Sequence, residues 1–227
     1  MSRTEEEKFA RTERLFKDLP LTAPMRVADE YLIDPSDEGF AALIARSKHV
    51  ATGAFRAKGM LPVTFLLYCT RHPTRVVDQG GVFMTSIRGA DDEETFEAQK
   101  EAVATFAIPL LVKFGGADAV AYLSEVWVSR RADTDKRPYV RASKDPERQE
   151  ALYITVQTKH RSGTSLGRIN RYGRRGITID WEDLPSDVEV GGRFSNLMQE
   201  LPLPAAAEAM LQAAIEEQRR ERAAGTT

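Results

Sequence analysis

The chain has 227 residues, of which 42% are hydrophobic and 29% are charged, as in ordinary globular proteins. Its formal net charge is −2, and a single cysteine, Cys69, excludes an internal disulfide. Apolar runs such as residues 62–69 are far shorter than the roughly 18 residues of a membrane-spanning helix. The N-terminus lacks the apolar run of a secretory signal. These properties predict a cytoplasmic protein, in a cell or a phage host, without membrane contact.

The first third of the chain predicts helices on both sides of a loop, followed by a buried strand. The predicted elements are a helical arm at 3–18, a loop at 20–37, a helix ending near Lys58, a strand at 63–69 and a second strand at 76–87. Ser36 is suited to capping the helix start, and Gly59 to the left-handed conformation that ends a helix. The apolar run at 63–69 predicts a strand buried on both faces.

A further helix is predicted after this strand pair. The acidic residues at 91–94 complement the positive end of a helix dipole and therefore indicate its start. The apolar pattern continues to about Lys113, and Gly115 and Gly116 follow it. Pro109 lies inside the helix and predicts a kink, because proline lacks a backbone donor.

The C-terminal half predicts consecutive antiparallel strands. They are expected at 118–129, 150–159 and 164–172, with a further short strand at 177–181 and helices at 194–201 and 205–222. Residues 131–147 are polar and charged, and they predict a long loop of the kind that is often functional. Residues 161–163 predict the turn of a hairpin.

The resulting order, α-α-β-β-α-β-β-β-α-α, predicts an α+β fold with a mostly antiparallel sheet of about five strands. It is compatible with a profilin-like or roadblock-like core that has helical extensions at its termini. The expected divisions are a helical arm and loop at 1–37, an α+β core domain at 38–201 and a C-terminal helix at 202–227. The terminal helices are suited to oligomerisation as well as to covering the core, so a homo-oligomer or a larger assembly is expected.

Two segments resemble a loosely defined group of uncharacterised bacterial and phage proteins. They are residues 121–127, Ala-Tyr-Leu-Ser-Glu-Val-Trp, and residues 145–152, Asp-Pro-Glu-Arg-Gln-Glu-Ala-Leu. The group has a Ser-Glu-Ala-Trp strand, a charged loop, and a strand that starts Glu-Ala or Glu-Val. Val126 stands in place of the usual alanine. The resemblance covers roughly residues 60–195, and it implies one α+β domain without a known activity or catalytic residue.

Residues 130–175 form a basic segment in an otherwise acidic chain. They hold 13 of the 32 cations and 5 of the 34 anions, and therefore a net charge of +8. Such a field attracts nucleic acid or an acidic protein surface. The cations expected to contact this anionic partner are Arg130, Arg131, Lys159, Arg161, Arg168, Arg171, Arg174 and Arg175. On the predicted strand, Arg168, Asn170 and Tyr172 share one face, which suits phosphate contacts and base stacking.

Charge pairing within the chain, or between subunits, is the alternative explanation of this basic segment. Five acids follow it with no intervening cation: Asp180, Glu182, Asp183, Asp187 and Glu189. They are placed to fold back on the arginines at 168–175. The two explanations differ in geometry, since one leaves the arginines open and the other covers them with carboxylates.

The catalytic alternative is a metal-dependent nuclease or phosphate-handling hydrolase. Residues 157–159, Gln-Thr-Lys, resemble the acid-x-Lys end of such a nuclease, with glutamine in place of the acid. That chemistry needs clustered acids for Mg²⁺ and a lysine, which selects Glu125, Glu150 and Lys159. The three histidines are isolated, and no metal or cofactor is predicted. We therefore interpret the chain as a non-catalytic binding or scaffold protein, with an acidic protein surface or nucleic acid as its partner.

Glu125 has a second interpretation that does not need catalysis. It shares a strand face with Leu123 and Trp127, so burial is expected to raise its pKa unless the carboxylate is paired. A structural ion pair with an arginine is the simpler role for this residue.

Overall fold

The structure, a computed structural model, describes residues 20–28, 34, 36–70, 80–129, 144–173, 176–185 and 194–198, together with Ala209, Ala213, Glu216 and Arg220. Its strands are β1 (Met25–Ala28), β2 (Thr64–Cys69), β3 (Gly81–Ser86), β4 (Ala117–Val128), β5 (Gln149–Thr158), β6 (Ser162–Arg171) and β7 (Ile177–Asp183). The helices are α1 (Asp37–Lys58), α2 (Glu93–Ala102) and α3 (Ile108–Gly115), and a π-helical turn (Val103–Ala107) joins α2 to α3. The predicted arm at 3–18 lies outside the described residues.

The strands form one seven-stranded sheet in the order β1-β3-β2-β4-β5-β6-β7, with every neighbouring pair antiparallel. This confirms an α+β fold with a mostly antiparallel sheet. The expected count of about five strands is wrong, and so is the element order, because β1 precedes the first described helix. Likeness to a profilin or roadblock core stays a prediction, as does the division into three segments.

The two strands outside the expected five lie at opposite edges of the sheet. β1 falls within the predicted loop at 20–37, but it pairs with β3 through Met25 and Met84. A four-residue strand shows too little alternation to be recognised from sequence. β7 corresponds to the short strand expected at 177–181 and continues to Asp183, because it pairs with β6 along its whole length.

Helices cover both faces of the sheet and bury its central strands. α1 packs on one face through residues that include Leu43, Ala51 and Phe55. The α2–α3 unit and residues 194–198 pack on the other face. Every residue of β2 is consequently buried, as its continuous apolar sequence predicts.

The ends of α1 follow the sequence signals. The hydroxyl oxygen of Ser36 accepts a hydrogen bond of 3.1 Å from the backbone N–H of Gly39. At the other end, Gly59 has φ of 72° and donates its N–H to the carbonyl oxygen of Phe55 at 2.7 Å. Within the helix, the Ser47 hydroxyl is hydrogen-bonded to the hydroxyl of buried Tyr68 at 2.8 Å, which ties α1 to β2.

The disruption expected at Pro109 takes the form of the π-helical turn. An α-helix would need a bond from residue 109 to the carbonyl of Thr105, and proline has no N–H to donate. Instead, the N–H of Ile108 donates to the carbonyl of Val103, five residues earlier. The backbone hydrogen bond thus spans five residues instead of four directly before the proline.

Residues 194–198 are turns rather than the start of the helix expected at 194–201. The side chain of Gln157 on β5 holds this segment: its Nε2 donates to the carbonyl of Phe194 at 2.5 Å, and its Oε1 accepts from the N–H of Leu197 at 2.8 Å. Gln157 is therefore only 4% exposed. Farther on, Ala209, Ala213, Glu216 and Arg220 are helical, within the helix expected at 205–222.

Candidate functional site

Topology divides the basic segment between the two ends of the sheet. The β4–β5 and β6–β7 connections leave the sheet at one end, and the β5–β6 turn lies at the other. Ser129 and Gly173 lie at the first end, where the chain continues into Arg130, Arg131, Arg174 and Arg175, which lie outside the described residues. Lys159 and Arg161 lie at the opposite end.

We call the first of these the tryptophan end and define it by Trp127, Arg148, Arg171 and Tyr172. Trp127 is 44% exposed and Tyr172 is 56% exposed. The guanidinium of Arg148 lies over the indole ring of Trp127, with its central carbon 4.7 Å from the ring centroid. Trp127 thus combines an exposed aromatic surface with a neighbouring positive charge.

A buried aspartate shapes the turn that presents Arg148. Asp145 is fully buried, and its carboxylate accepts hydrogen bonds from the Ser129 hydroxyl and, at 2.9 Å, from the N–H of Glu147. Its backbone carbonyl accepts the N–H of Arg148 at 3.1 Å. These bonds fasten the last residues before β5 to the first residue after β4 and fix the backbone from which Arg148 projects.

The second arginine of this end, Arg171, is fixed by a carboxylate. Its Nε and Nη2 donate to the two oxygens of Glu150 at 2.8 and 2.6 Å, a bidentate pair. The guanidinium also lies 5.5 Å from the ring centroid of Phe55 on α1. The strand ends and the end of α1 thereby meet at one cluster of side chains.

Glu125 and Glu150 form an acid pair beneath Arg171, and their pKa values move in opposite directions. Burial raises the pKa of Glu125, which is further raised by its hydrogen bond to Glu150 and by that residue's negative charge. The N–H of Leu61, 3.3 Å from Glu125 Oε2, opposes this rise. The hydrogen bonds from Arg171 lower the pKa of Glu150. Of the two carboxyl groups, Glu125 is therefore the one with the higher pKa, in line with the raised pKa predicted for it.

We expect Glu125→Gln to be more stable than the wild type at neutral pH, by a margin that vanishes in acid. A carboxyl group with a raised folded pKa stabilises the fold while it is protonated, and this contribution is lost as pH rises through the folded pKa. Glutamine keeps a donor for Glu150 and an acceptor for Leu61 without titrating. Urea unfolding from pH 4.5, the ordinary value of the group, to about pH 8 measures the margin. Glu147→Gln is the exposed control, and a margin independent of pH would contradict the assignment.

The face that carries Arg168 and Asn170 is paired with the acidic stretch that follows it. Arg168 donates to Glu182 at 2.8 Å, and Asn170 donates to Asp180 at 2.7 Å. The pairs form because β6 and β7 are adjacent and antiparallel, so that acids on one strand lie diagonally opposite the polar residues of the other. Asp187 and Glu189 lie outside the described residues. Both side chains of the Arg168–Glu182 pair are about half exposed, so the pair contributes little stability, about 0–1 kcal/mol.

The residues of the catalytic alternative do not converge. Glu125 and Glu150 are together, but Lys159 follows the far end of β5, nine residues beyond Glu150, or roughly 30 Å along the strand. Among the described residues, no three His, Cys, Asp or Glu side chains are grouped closely enough to hold a metal ion. Gln157, in the position of the expected acid, binds backbone groups of residues 194–198.

Sequence patterns miss the role of Arg148 at the tryptophan end and identify Tyr172. Arg148 is one of the 13 cations of the basic segment, but its contact with Trp127 depends on the Asp145 turn and has no signal in the sequence. Tyr172 is predicted on the same face as Arg168, and its exposure follows from its position just beyond the end of β6.

The described residues thus define a seven-stranded antiparallel α+β protein with an aromatic and basic surface at one end of its sheet. Residues 99–179, which are 81 of the 227, match the family described as bacteriophage lambda protein ea47. The matched stretch contains both segments that resemble phage proteins, and it agrees with a phage-type protein. No curated protein and no solved structure matches the chain. None of the described helices is both long and apolar enough to cross a membrane.

Proposed function

We propose that the protein acts by binding single-stranded nucleic acid at the tryptophan end. The observation that carries this proposal is that two basic connections of the chain join the sheet at the end where Trp127 and Tyr172 are exposed. Proteins that bind single strands combine cations for the phosphates with aromatic rings on which bases stack.

The exposed aromatic residues favour nucleic acid over an acidic protein surface. An indole that carries Arg148 on its ring offers stacking and a positive charge together, which matches a base next to its phosphate. Trp127 lies on β4 and Tyr172 directly follows β6, so the strands that carry the two rings are separated by β5.

The distribution of positive charge also favours the tryptophan end as the binding surface. The chain between Ser129 and Lys144 adds five cations and two acids, and residues 174–175 add two more arginines. The Arg171–Glu150 pair is already neutral, and so is the Arg168–Glu182 pair. The net positive charge at this end of the sheet therefore belongs to the connections.

Binding of a fluorescein-labelled oligo(dT) to the full chain tests the proposal by fluorescence anisotropy. We expect binding at about 50 mM salt that weakens steeply as salt rises, because phosphate contacts release counterions. Trp127→Ala is expected to weaken binding about tenfold, the effect of losing one stacked base, while Trp127→Phe retains most of the affinity. Arg148→Gln is expected to weaken binding and to reduce the salt dependence.

Lys113→Gln is the matched control, because it removes an exposed positive charge near the end of α3, away from the tryptophan end. It is expected to bind like the wild type. Absence of binding at low salt contradicts the nucleic-acid proposal and leaves an acidic protein surface as the partner. Equal losses in Arg148→Gln and Lys113→Gln indicate nonspecific attraction and contradict the assigned site.

A further inference from the structure

A pocket of about 220 Å³ lies at the end of the sheet opposite Trp127. We call it the turn pocket. Among the described residues, its lining consists of Asp34, Phe40, Leu43, Asp118, Thr158, Lys159, His160 and Arg161. The volume is below the roughly 300–1,000 Å³ of sites for drug-sized ligands, so the pocket fits a smaller molecule.

The β5–β6 turn that forms one wall is held by its own hydrogen bonds. The N–H of Thr158 donates to the carbonyl of Arg161 at 2.9 Å, and the hydroxyl of Thr158 accepts the N–H groups of His160 and Arg161 at 3.3 and 3.2 Å. Lys159 and His160 are therefore presented, exposed, at the tip. The wall has a defined shape before any ligand binds.

The opposite wall is the first part of α1, which contributes the apolar surface. Leu43 is buried, and the ring of Phe40 is half-buried with the guanidinium of Arg161 5.3 Å from its centroid. Arg161 is also paired with Asp37 at 2.6 Å, so its charge is balanced within the protein. Gly163 allows this close packing, because a Cβ there would lie 2.9 Å from Phe40 and from Ile44.

Two opposite charges on the pocket lining have no ion-pair partner. Among the described residues, neither Lys159 nor Asp34 forms an ion pair, and they are not paired with each other. The carboxylate of Asp34 accepts the N–H of Ser36 at 2.8 Å, which fixes its position. Asp118 adds a second carboxylate, held by the N–H and hydroxyl of Thr70 at 2.9 and 2.5 Å.

We propose that the turn pocket binds a free α-amino acid with a small apolar side chain. Its carboxylate pairs with Lys159, its ammonium group with Asp34 and Asp118, and its side chain lies on Phe40 and Leu43. A zwitterion gives both Asp34 and Lys159 a counter-charge, whereas a ligand with a single charge pairs with only one of them.

Isothermal titration and thermal unfolding of the full chain with L-leucine, L-methionine and L-valine, tested separately, measure this binding. At least one is expected to bind and to raise the melting temperature at concentrations up to about 10 mM. For leucine, 4-methylpentanoate lacks the ammonium group and 3-methylbutylamine lacks the carboxylate. Each is expected to bind about tenfold more weakly or worse than the parent amino acid, as for a lost charge-assisted hydrogen bond.

Lys159→Gln is expected to reduce the affinity for the amino acid about tenfold, whereas Lys144→Gln, at the tryptophan end, leaves it unchanged. Both lysines are exposed, so neither change perturbs the core. The proposal is overturned if none of the three amino acids binds, if an analogue lacking one charge binds as well as its parent, or if Lys159→Gln has no effect. It is independent of nucleic-acid binding, which takes place at the other end of the sheet.

Discussion

Replacing Phe65 with alanine is expected to lower the free energy of unfolding by about 3–5 kcal/mol, because the side chain is completely buried in a well-packed core. Its ring lies 5.6 Å from the ring of Tyr122, its partner across β2 and β4, and 5.5 Å from the ring of Phe194. The loss combines the apolar area with these aromatic contacts. In a chain of this size it corresponds to a fall in melting temperature of roughly 6–20 °C.

Phe96→Ala makes the same deletion at a half-buried position on α2 and serves as the control. Its ring contacts the ammonium group of Lys100 and is only partly removed from water, so the loss is expected to be less than half as large. Chemical unfolding of both variants measures the difference. Equal losses would falsify the central position assigned to Phe65.

Gly39→Ala and Gly53→Ala are expected to change stability in opposite directions, although both lie in α1. A Cβ at Gly39 would lie 2.2 Å from the carbonyl oxygen of Asp34 and 2.5 Å from its Cβ. Backbone must move to relieve this overlap, at a cost of about 1–3 kcal/mol or more that exceeds the gain in helix propensity. Nothing lies within 4 Å of a Cβ at Gly53, so alanine there is expected to stabilise by about 0.5–1 kcal/mol.

Urea unfolding of the two alanine variants in parallel measures whether their free energies of unfolding change in opposite directions. Because Asp34 lines the turn pocket, Gly39→Ala is also expected to weaken amino-acid binding there, whereas Gly53→Ala leaves it intact. Stabilisation by both substitutions contradicts the close approach of Asp34 to the start of α1.

The elements that could be predicted are those whose own residues carry a complete apolar pattern or both helix caps. β2 to β6 are long enough to show continuous or alternating apolar residues, and α1 carries both of its caps at Ser36 and Gly59. β1 was missed because its four residues are stabilised by pairing with β3, which depends on distant sequence. The turns at 194–198 follow from the two bonds of Gln157, across about 40 residues of chain.

The candidate site was predictable in its charge and not in its arrangement. The sequence identifies Arg168 and Arg171 as members of a basic segment, and also the acids that could balance them. Which acid each arginine meets depends on strand register: Arg171 pairs with Glu150, 21 residues earlier, and Arg168 with Glu182 on the next strand. The basic segment is divided between the two ends of the sheet because successive antiparallel strands place their connections at alternating ends.

The order of the strands also sets the entropic cost of assembling the sheet. β4, β5 and β6 each pair with the next strand in the chain, and three residues separate β5 from β6 and five separate β6 from β7. The pairing of β2 with β4 instead closes a loop that contains β3 and the α2–α3 unit. Since loop closure costs more for longer loops, the C-terminal hairpins are the least costly part of the sheet to form. The stretch matched by the phage family contains all of β5 and β6, and therefore the hairpin with the shortest connection.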